Sequence, residues 1–173
     1  VQEGEFHEAM NLAALWKLPV LFILENNLYA MGTPIEMTRA GGKDIYLAAD
    51  SYKMLASQVD GMDVLAVYEA AIQAIQQIRE GSGPVFIEAM TYRFVGHSVQ
   101  DPQVYRDAKE IEAWHAKDPI KTFLEIAVTG GLLSEDQVEA INQRVEQTVN
   151  EAVDFAEQSP DPEIDSLYDN VYA

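Results

Sequence analysis

Gly4-Glu5-Phe6-His7-Glu8-Ala9-Met10-Asn11-Leu12-Ala13-Ala14-Leu15-Trp16-Lys17-Leu18-Pro19-Val20-Leu21-Phe22-Ile23-Leu24-Glu25-Asn26-Asn27 reads as a helix, a turn and a strand in that order. Phe6, Ala9, Met10, Ala13 and Trp16 recur at helical spacing between Glu5 and Lys17. Leu18-Pro19 ends the helix. Val20 to Leu24 is an unbroken apolar run of strand length, the pattern of a strand covered on both faces in a parallel sheet. Asn26-Asn27 stands at its carboxyl end, where open α/β sheets place their ligands. The segment opens already inside a helix, with no strand before it, so half of the ligand site is expected upstream of residue 1.

The 173 residues suffice for one domain with a substantial core, and 48% hydrophobic with 23% charged residues is ordinary for a globular chain. Pro19 to Leu24 is far below the roughly 18 apolar residues that cross a bilayer, so no membrane partner is expected. With 29 acids against 11 bases the net charge is −18, which repels nucleic acid and anionic lipid. An anionic ligand therefore needs local devices: helix N-termini, His97 or a bound cation. The absence of cysteine excludes disulfides, thiolate catalysis and cysteine-bound zinc. It fits a cytoplasmic protein, or one of an organelle matrix in a eukaryote.

Leu28 to Lys43, rich in Gly, Thr and Pro, is expected to be an ordered loop over the site. A short helix is expected over Asp44 to Ala56, then a short strand and turn at Gln58 to Gly61, with Asp63 capping the next helix. In that helix Leu65, Tyr68, Ile72, Ile75 and Ile78 form one apolar stripe. Gly81 to Pro84 breaks it and Val85 to Met90 returns as a strand, the order of a βαβ unit. Arg93 to Tyr105 is a second irregular loop. Helices follow over Asp107 to Lys117 and from Asp118-Pro119 through Leu124. Ser134 to Gln137 has capping-box spacing and opens a long helix with Val138, Ile141, Val145, Val149 and Ala152 facing inward. The acidic, proline-containing residues 159–173 are expected to be an extended tail, separate from a domain over 1–158.

A carboxamide oxygen is a neutral hard ligand suited to Mg²⁺ when carboxylate and phosphate oxygens complete the shell. Around Asn26-Asn27 the chain resembles a known family. Gly4, Glu8, Asn11 and Ala13 to Pro19, followed by Glu25-Asn26-Asn27, Tyr29 and Met31-Gly32, are similar to the second half of the thiamine diphosphate motif. The likeness is to alpha subunits of 2-oxo acid dehydrogenase complexes of the heterotetrameric decarboxylase type. Further matches follow in register: Val59 to Asp63, Gly83-Pro84, Glu88 and Thr91-Tyr92-Arg93. Gly96-His97-Ser98, Asp101-Pro102 and Tyr105-Arg106 resemble the family's mobile active-site loop.

The resemblance implies a three-layer α/β/α thiamine-diphosphate-binding fold with a mainly parallel sheet, incomplete at the N-terminal side. It implies Asn27 and the Tyr29 carbonyl as Mg²⁺ ligands, and Asn27, Tyr29, Met31 and His97 against the cofactor. His97 inherits the catalytic position near the diphosphate, and Ser98 the position phosphorylated in some members. The motif's opening Gly-Asp-Gly, with its metal-binding Asp, is absent from this chain, and its place is expected just before residue 1. The cofactor-activating Glu belongs to the beta subunit. The implied reaction is decarboxylation of a small 2-oxo acid, with transfer of the acyl group to the lipoyl group of an acyltransferase partner. The loop resembles the pyruvate enzyme; branched-chain and acetoin dehydrogenases share most other features. This chain alone is expected to be inactive. A non-catalytic thiamine-fold interaction domain is the rival from another class. A generic nucleotide-binding domain is disfavoured by the lack of a Gly-rich phosphate loop. His7 and His115 are read as solvated helix residues, and Glu8 as a structural hydrogen-bond or ion-pair partner.

Overall fold

The computed structural model describes residues 1–171. Helix α1 (Gly4–Leu15) precedes strand β1 (Leu21–Asn26), and a small ribbon of β2 (Tyr29–Ala30) and β3 (Thr33–Pro34) leads into the one-turn helix α2 (Ile35–Thr38). A 3-10 helix (Ile45–Tyr52) is followed by β4 (Leu55–Asp60), α3 (Val64–Arg79) and β5 (Val85–Met90). Helices α4 (Ala108–His115), α5 (Pro119–Thr129) and α6 (Glu135–Gln158) and a 3-10 turn (Ile164–Tyr168) complete the order. The chain separates into two compact units, residues 1–125 and the residues from Ile126 onward.

The first unit is built on a parallel sheet in the order β1-β5-β4. Strand β5 is central, with Leu24 and Gln58 on either side of Glu88. Alternation along β5 explains the layers. Phe86 points to the face covered by α1 and the 3-10 helix, where it packs with Met10, Ala49 and Met54. Val85 and Ile87 point to the opposite face and pack with Ala74, Ala70 and Ile78 of α3. This is the α/β/α arrangement expected. Because the strands are parallel, Asn26, Asp60 and Met90 end at one edge, and the ladder extends beyond it through Thr91 N–H to Asn26 O (2.9 Å) and Gly61 N–H to Met90 O (2.9 Å).

Three expectations need correction. The helix read over Asp44 to Ala56 is a 3-10 helix that stops at Tyr52, because Lys53 turns left-handed (φ 54) and Leu55 already pairs with Val85. Most of the stripe of α3 is not its buried face: Leu65, Tyr68, Ile72 and Ile75 are exposed, and of the five only Ile78 packs on the sheet, together with Ala70 and Ala74. The alanines allow close approach, whereas the four exposed residues centre about 140° away around the helix. In α6 no residue is buried, and Ile141, Val145 and Val149 are exposed. The unit from Ile126 onward has no sheet and no second long helix among its described residues for that stripe to pack against. The capping box itself is present, with Gln137 N–H donating to Ser134 Oγ (3.2 Å) and Ser134 N–H to Gln137 Oε1 (2.9 Å). Within 159–173 the only regular element among the described residues is the 3-10 turn, and the last two positions lie outside them.

Candidate functional site

The two asparagines at the end of β1 have different surroundings. Asn26 is 5% exposed, and its Nδ2 donates to Glu88 Oε1 (2.7 Å) and to the Lys43 carbonyl (3.0 Å). Its Oδ1 accepts the Leu28 N–H at 3.0 Å, an Asx turn that reverses the chain. Asn27 is half-buried, and its Oδ1 accepts the Tyr29 N–H at 3.3 Å. Leu28 (φ 67) and Met31 (φ 55) are both left-handed although neither is glycine. Such conformations cost about 1–2 kcal/mol each and persist only where surrounding contacts impose them.

This strained turn faces the loop after β5. Asn27, Tyr29, Met31, Arg93, His97, Tyr105 and Arg106 line one cleft of ≈ 30 Å³. All four positions expected from the sequence, Asn27, Tyr29, Met31 and His97, therefore meet, although 66 residues separate Met31 from His97. A second cleft of ≈ 130 Å³ shares Asn27 and Tyr29 and is also lined by Val1, Gln2, Glu25 and Asn26.

Asp101 organises the His97 loop. It accepts the His97 N–H (2.7 Å), the Gln103 N–H (2.9 Å) and the Tyr105 hydroxyl (2.6 Å). The Tyr105 hydroxyl first, then the two backbone N–H groups, hold its carboxyl below the usual aspartate value. The same bond raises the Tyr105 hydroxyl. Gly96 fits under this loop because a Cβ there would stand 2.8 Å from the Asp101 carbonyl oxygen. Arg93 Nη2 donates to the His97 carbonyl (3.1 Å), and the imidazole is left exposed.

Arg106 is 8% exposed and lies 5.0, 4.8 and 5.5 Å from the ring centres of Tyr29, Tyr92 and Tyr105. Its Nη1 donates to the Arg93 carbonyl (2.7 Å) and Gln103 Oε1 (3.2 Å). Its Nε and the Tyr92 hydroxyl are buried with no hydrogen-bond partner. Helix α4 supports the site from behind. Glu110 accepts the Tyr29 hydroxyl (3.0 and 3.1 Å), Trp114 stacks on Tyr92 (5.1 Å) and His115 stacks on Phe94 (4.4 Å). Burial first, and then the bond to Glu110, push the Tyr29 hydroxyl up to about 12. Burial likewise raises Tyr92.

The chemistry of this donor set favours an anion with bridging oxygens. Two guanidinium groups and an imidazole line the cleft, while the hydroxyls of Tyr29 and Tyr105 beside them are committed to Glu110 and Asp101. For a hard cation the site offers the Asn27 oxygen and backbone carbonyls, with no group of three or more His, Cys, Asp or Glu among the described residues. Sequence reasoning did not assign roles to Arg106, Glu110 or the Asn26–Glu88 pair. Asn26, Glu88 and Arg106 stand among the motif matches, and Glu88 also shows as a carboxylate in the otherwise apolar run Val85 to Met90; Glu110 left no signal.

No helix among the described residues is long and apolar enough to cross a membrane. A family model described as "Dehydrogenase E1 component" matches residues 1–165. Among curated proteins the chain is similar to the pyruvate dehydrogenase E1 component subunit alpha of Rickettsia bellii (strain RML369-C), at 40% identity over 99% of this chain and 52% of the relative. The subunit of the same name from Porphyra purpurea is 40% identical over 98% of this chain and 49% of its own length. The chloroplastic subunit alpha-3 of Arabidopsis thaliana is 40% identical over 98% of this chain and 40% of its own length. The chain thus spans about half the length of the curated relatives it matches. A match over nearly all residues, with the motif positions gathered at the ends of the parallel strands, makes this chain a member of the dehydrogenase E1 component family.

Proposed function

We propose that this chain forms the Asn27–His97 side of a thiamine diphosphate site in the alpha subunit of a pyruvate dehydrogenase. The observation that carries this reading is the single cleft joining Asn27, Tyr29, Met31 and His97 to Arg93 and Arg106. The names of the relatives support pyruvate over branched-chain 2-oxo acids and acetoin.

In this reading Arg93, His97 and Arg106 receive the diphosphate oxygens, and the Asn27 oxygen and Tyr29 carbonyl face Mg²⁺. Two neutral oxygens fill only part of an octahedral shell, so phosphate, water and a carboxylate complete it. Val1 and Gln2 line the second cleft beside Asn27, the side from which the family motif brings its aspartate. When bound, the thiazolium ring accepts the electron pair released as CO₂ leaves a 2-oxo acid. This chain's own part is to neutralise and orient the diphosphate, to hold the His97 loop closed through Asp101, and to keep water from the turn. Partners in the assembly are a beta subunit, which contributes the activating glutamate, and a lipoyl acyltransferase that takes the acetyl group.

Calorimetric titration of the chain with thiamine diphosphate tests the reading. Binding that appears with Mg²⁺, disappears with EDTA and weakens in Arg93→Ala is expected. Binding indifferent to both EDTA and Arg93→Ala would overturn it, as would no binding even when a Gly-Asp-Gly segment is joined ahead of residue 1 and a beta subunit is added.

A further inference from the structure

Glu88 is fully buried in the central strand, and nothing in the proposed reaction accounts for it. Its Oε1 accepts Asn26 Nδ2 (2.7 Å) and the Ile45 N–H (3.2 Å). Its Oε2 accepts the Tyr46 N–H (3.0 Å) and Gln58 Nε2 (3.2 Å). All four partners are donors. A carboxylate, which only accepts, satisfies every one of them, whereas a glutamine would turn an NH₂ group against at least one N–H. The interior makes that mismatch costly, because a buried donor without an acceptor forfeits its hydration.

The partners come from three parts of the chain that must meet: the end of β1, the start of the 3-10 helix and strand β4. Only Asn26 leads onward to the site. With Nδ2 committed to Glu88 and the Lys43 carbonyl, its Oδ1 is turned to the Leu28 N–H. That bond holds Leu28 left-handed, and the Leu28 carbonyl then accepts the Ile35 N–H (2.9 Å) to close the ribbon. Asn27 and Tyr29 lie on either side of Leu28.

We propose that Glu88 is a positioning residue for the cation: through Asn26 it fixes the strained turn that presents the Asn27 side-chain oxygen and the Tyr29 carbonyl. The two asparagines then divide the work, Asn26 as the structural relay and Asn27 as the ligand. The inference rests on the reading of the site given above.

The test is the Mg²⁺ concentration at which the full chain half-saturates with thiamine diphosphate, followed by calorimetry and by the NMR shift of the Asn27 side-chain amide. Glu88→Gln and Asn26→Ala are expected to raise that concentration about 10–100-fold, the usual cost of losing an outer partner of a metal ligand. Gln58→Ala removes a Glu88 donor that does not lead to the turn, and its Mg²⁺ requirement is expected to stay close to that of the unaltered chain. Melting temperatures of all three variants provide the structural comparison. Equal Mg²⁺ shifts in all three, tracking the melting temperature, would reduce Glu88 to general stability and overturn the inference. An unchanged requirement in Asn26→Ala would overturn it even if Glu88→Gln failed to fold. Failure of the unaltered chain to respond to Mg²⁺ would instead strike at the proposed function, and this inference would fall with it. A normal response there, with the Mg²⁺ requirement unchanged in both Glu88→Gln and Asn26→Ala, would remove the inference alone.

Discussion

Gly61 carries the turn after β4 against the neighbouring strand: a Cβ there would stand 2.5 Å from Thr91 Cγ2 and 2.8 Å from the Met90 carbonyl oxygen. Backbone cannot yield as a flexible side chain can. Gly61→Ala should therefore cost about 1–3 kcal/mol, the range for overpacking a tight site, read from urea unfolding. An unchanged midpoint would mean the β4 and β5 ends are farther apart than described. Tyr29 gives a pH prediction. Its hydroxyl is raised from 10.0 to about 12, so the folded chain keeps a proton that the unfolded chain releases first. The resulting stability is fully present below pH 10 and is lost as pH rises towards 12. Tyr29→Phe should flatten the fall over that window, and an identical alkaline profile in both proteins would count against the Glu110 contact. Asp101 has the opposite sign. Its lowered pKa gives support that is present above the ordinary aspartate value and is lost as pH falls through the folded one. Protection of the His97 amide, measured against the exchange rate of an unstructured amide at the same pH, should fall on acidification in the unaltered chain and should already be low in Asp101→Asn.

At the scale of elements, the caps and strands were legible because their signals are local. Val85 to Met90, the Asp63 cap and the Ser134 capping box need only neighbouring residues to be recognised, and the structure has all three. Ser134→Ala should destabilise α6 by about 1 kcal/mol, visible as lost helicity at 222 nm on warming; no loss would mean the cap is frayed in solution. The face that α3 buries was not legible. The apolar stripe runs through Leu65, Tyr68, Ile72, Ile75 and Ile78, but of these only Ile78 meets the sheet, beside Ala70 and Ala74, whose small side chains allow close approach. The 3-10 helix was misjudged for a similar reason: pairing of β4 with β5 claims Leu55 and Ala56 from any longer helix. In the site, motif positions named Asn27, Tyr29, Met31 and His97. The packing of Arg106 among three tyrosines and the four donors around Glu88 depend on tertiary contacts that leave no spacing to read.

Over the whole molecule, large apolar side chains stand in water on elements that also carry the acidic excess. Ile23 on β1, Tyr68 and Ile72 on α3, and Val145, Val149 and Val153 on α6 are all exposed. Burying such surface favours association, and a net charge of −18 opposes it at low ionic strength. Sedimentation should therefore show self-association that strengthens as added salt screens the repulsion. A single monomer boundary at every salt concentration would contradict this.

In the proposed function the ends of β1 and β5 form one face of a thiamine diphosphate site. Its most direct test is an NMR titration of the isotope-labelled chain with thiamine diphosphate and Mg²⁺, alongside thiamine without its diphosphate. Mg²⁺-dependent shifts are expected at Asn27, Tyr29, Met31, Arg93, His97, Tyr105 and Arg106, and none with thiamine. Shifts spread elsewhere, or equal responses to the two ligands, would contradict it.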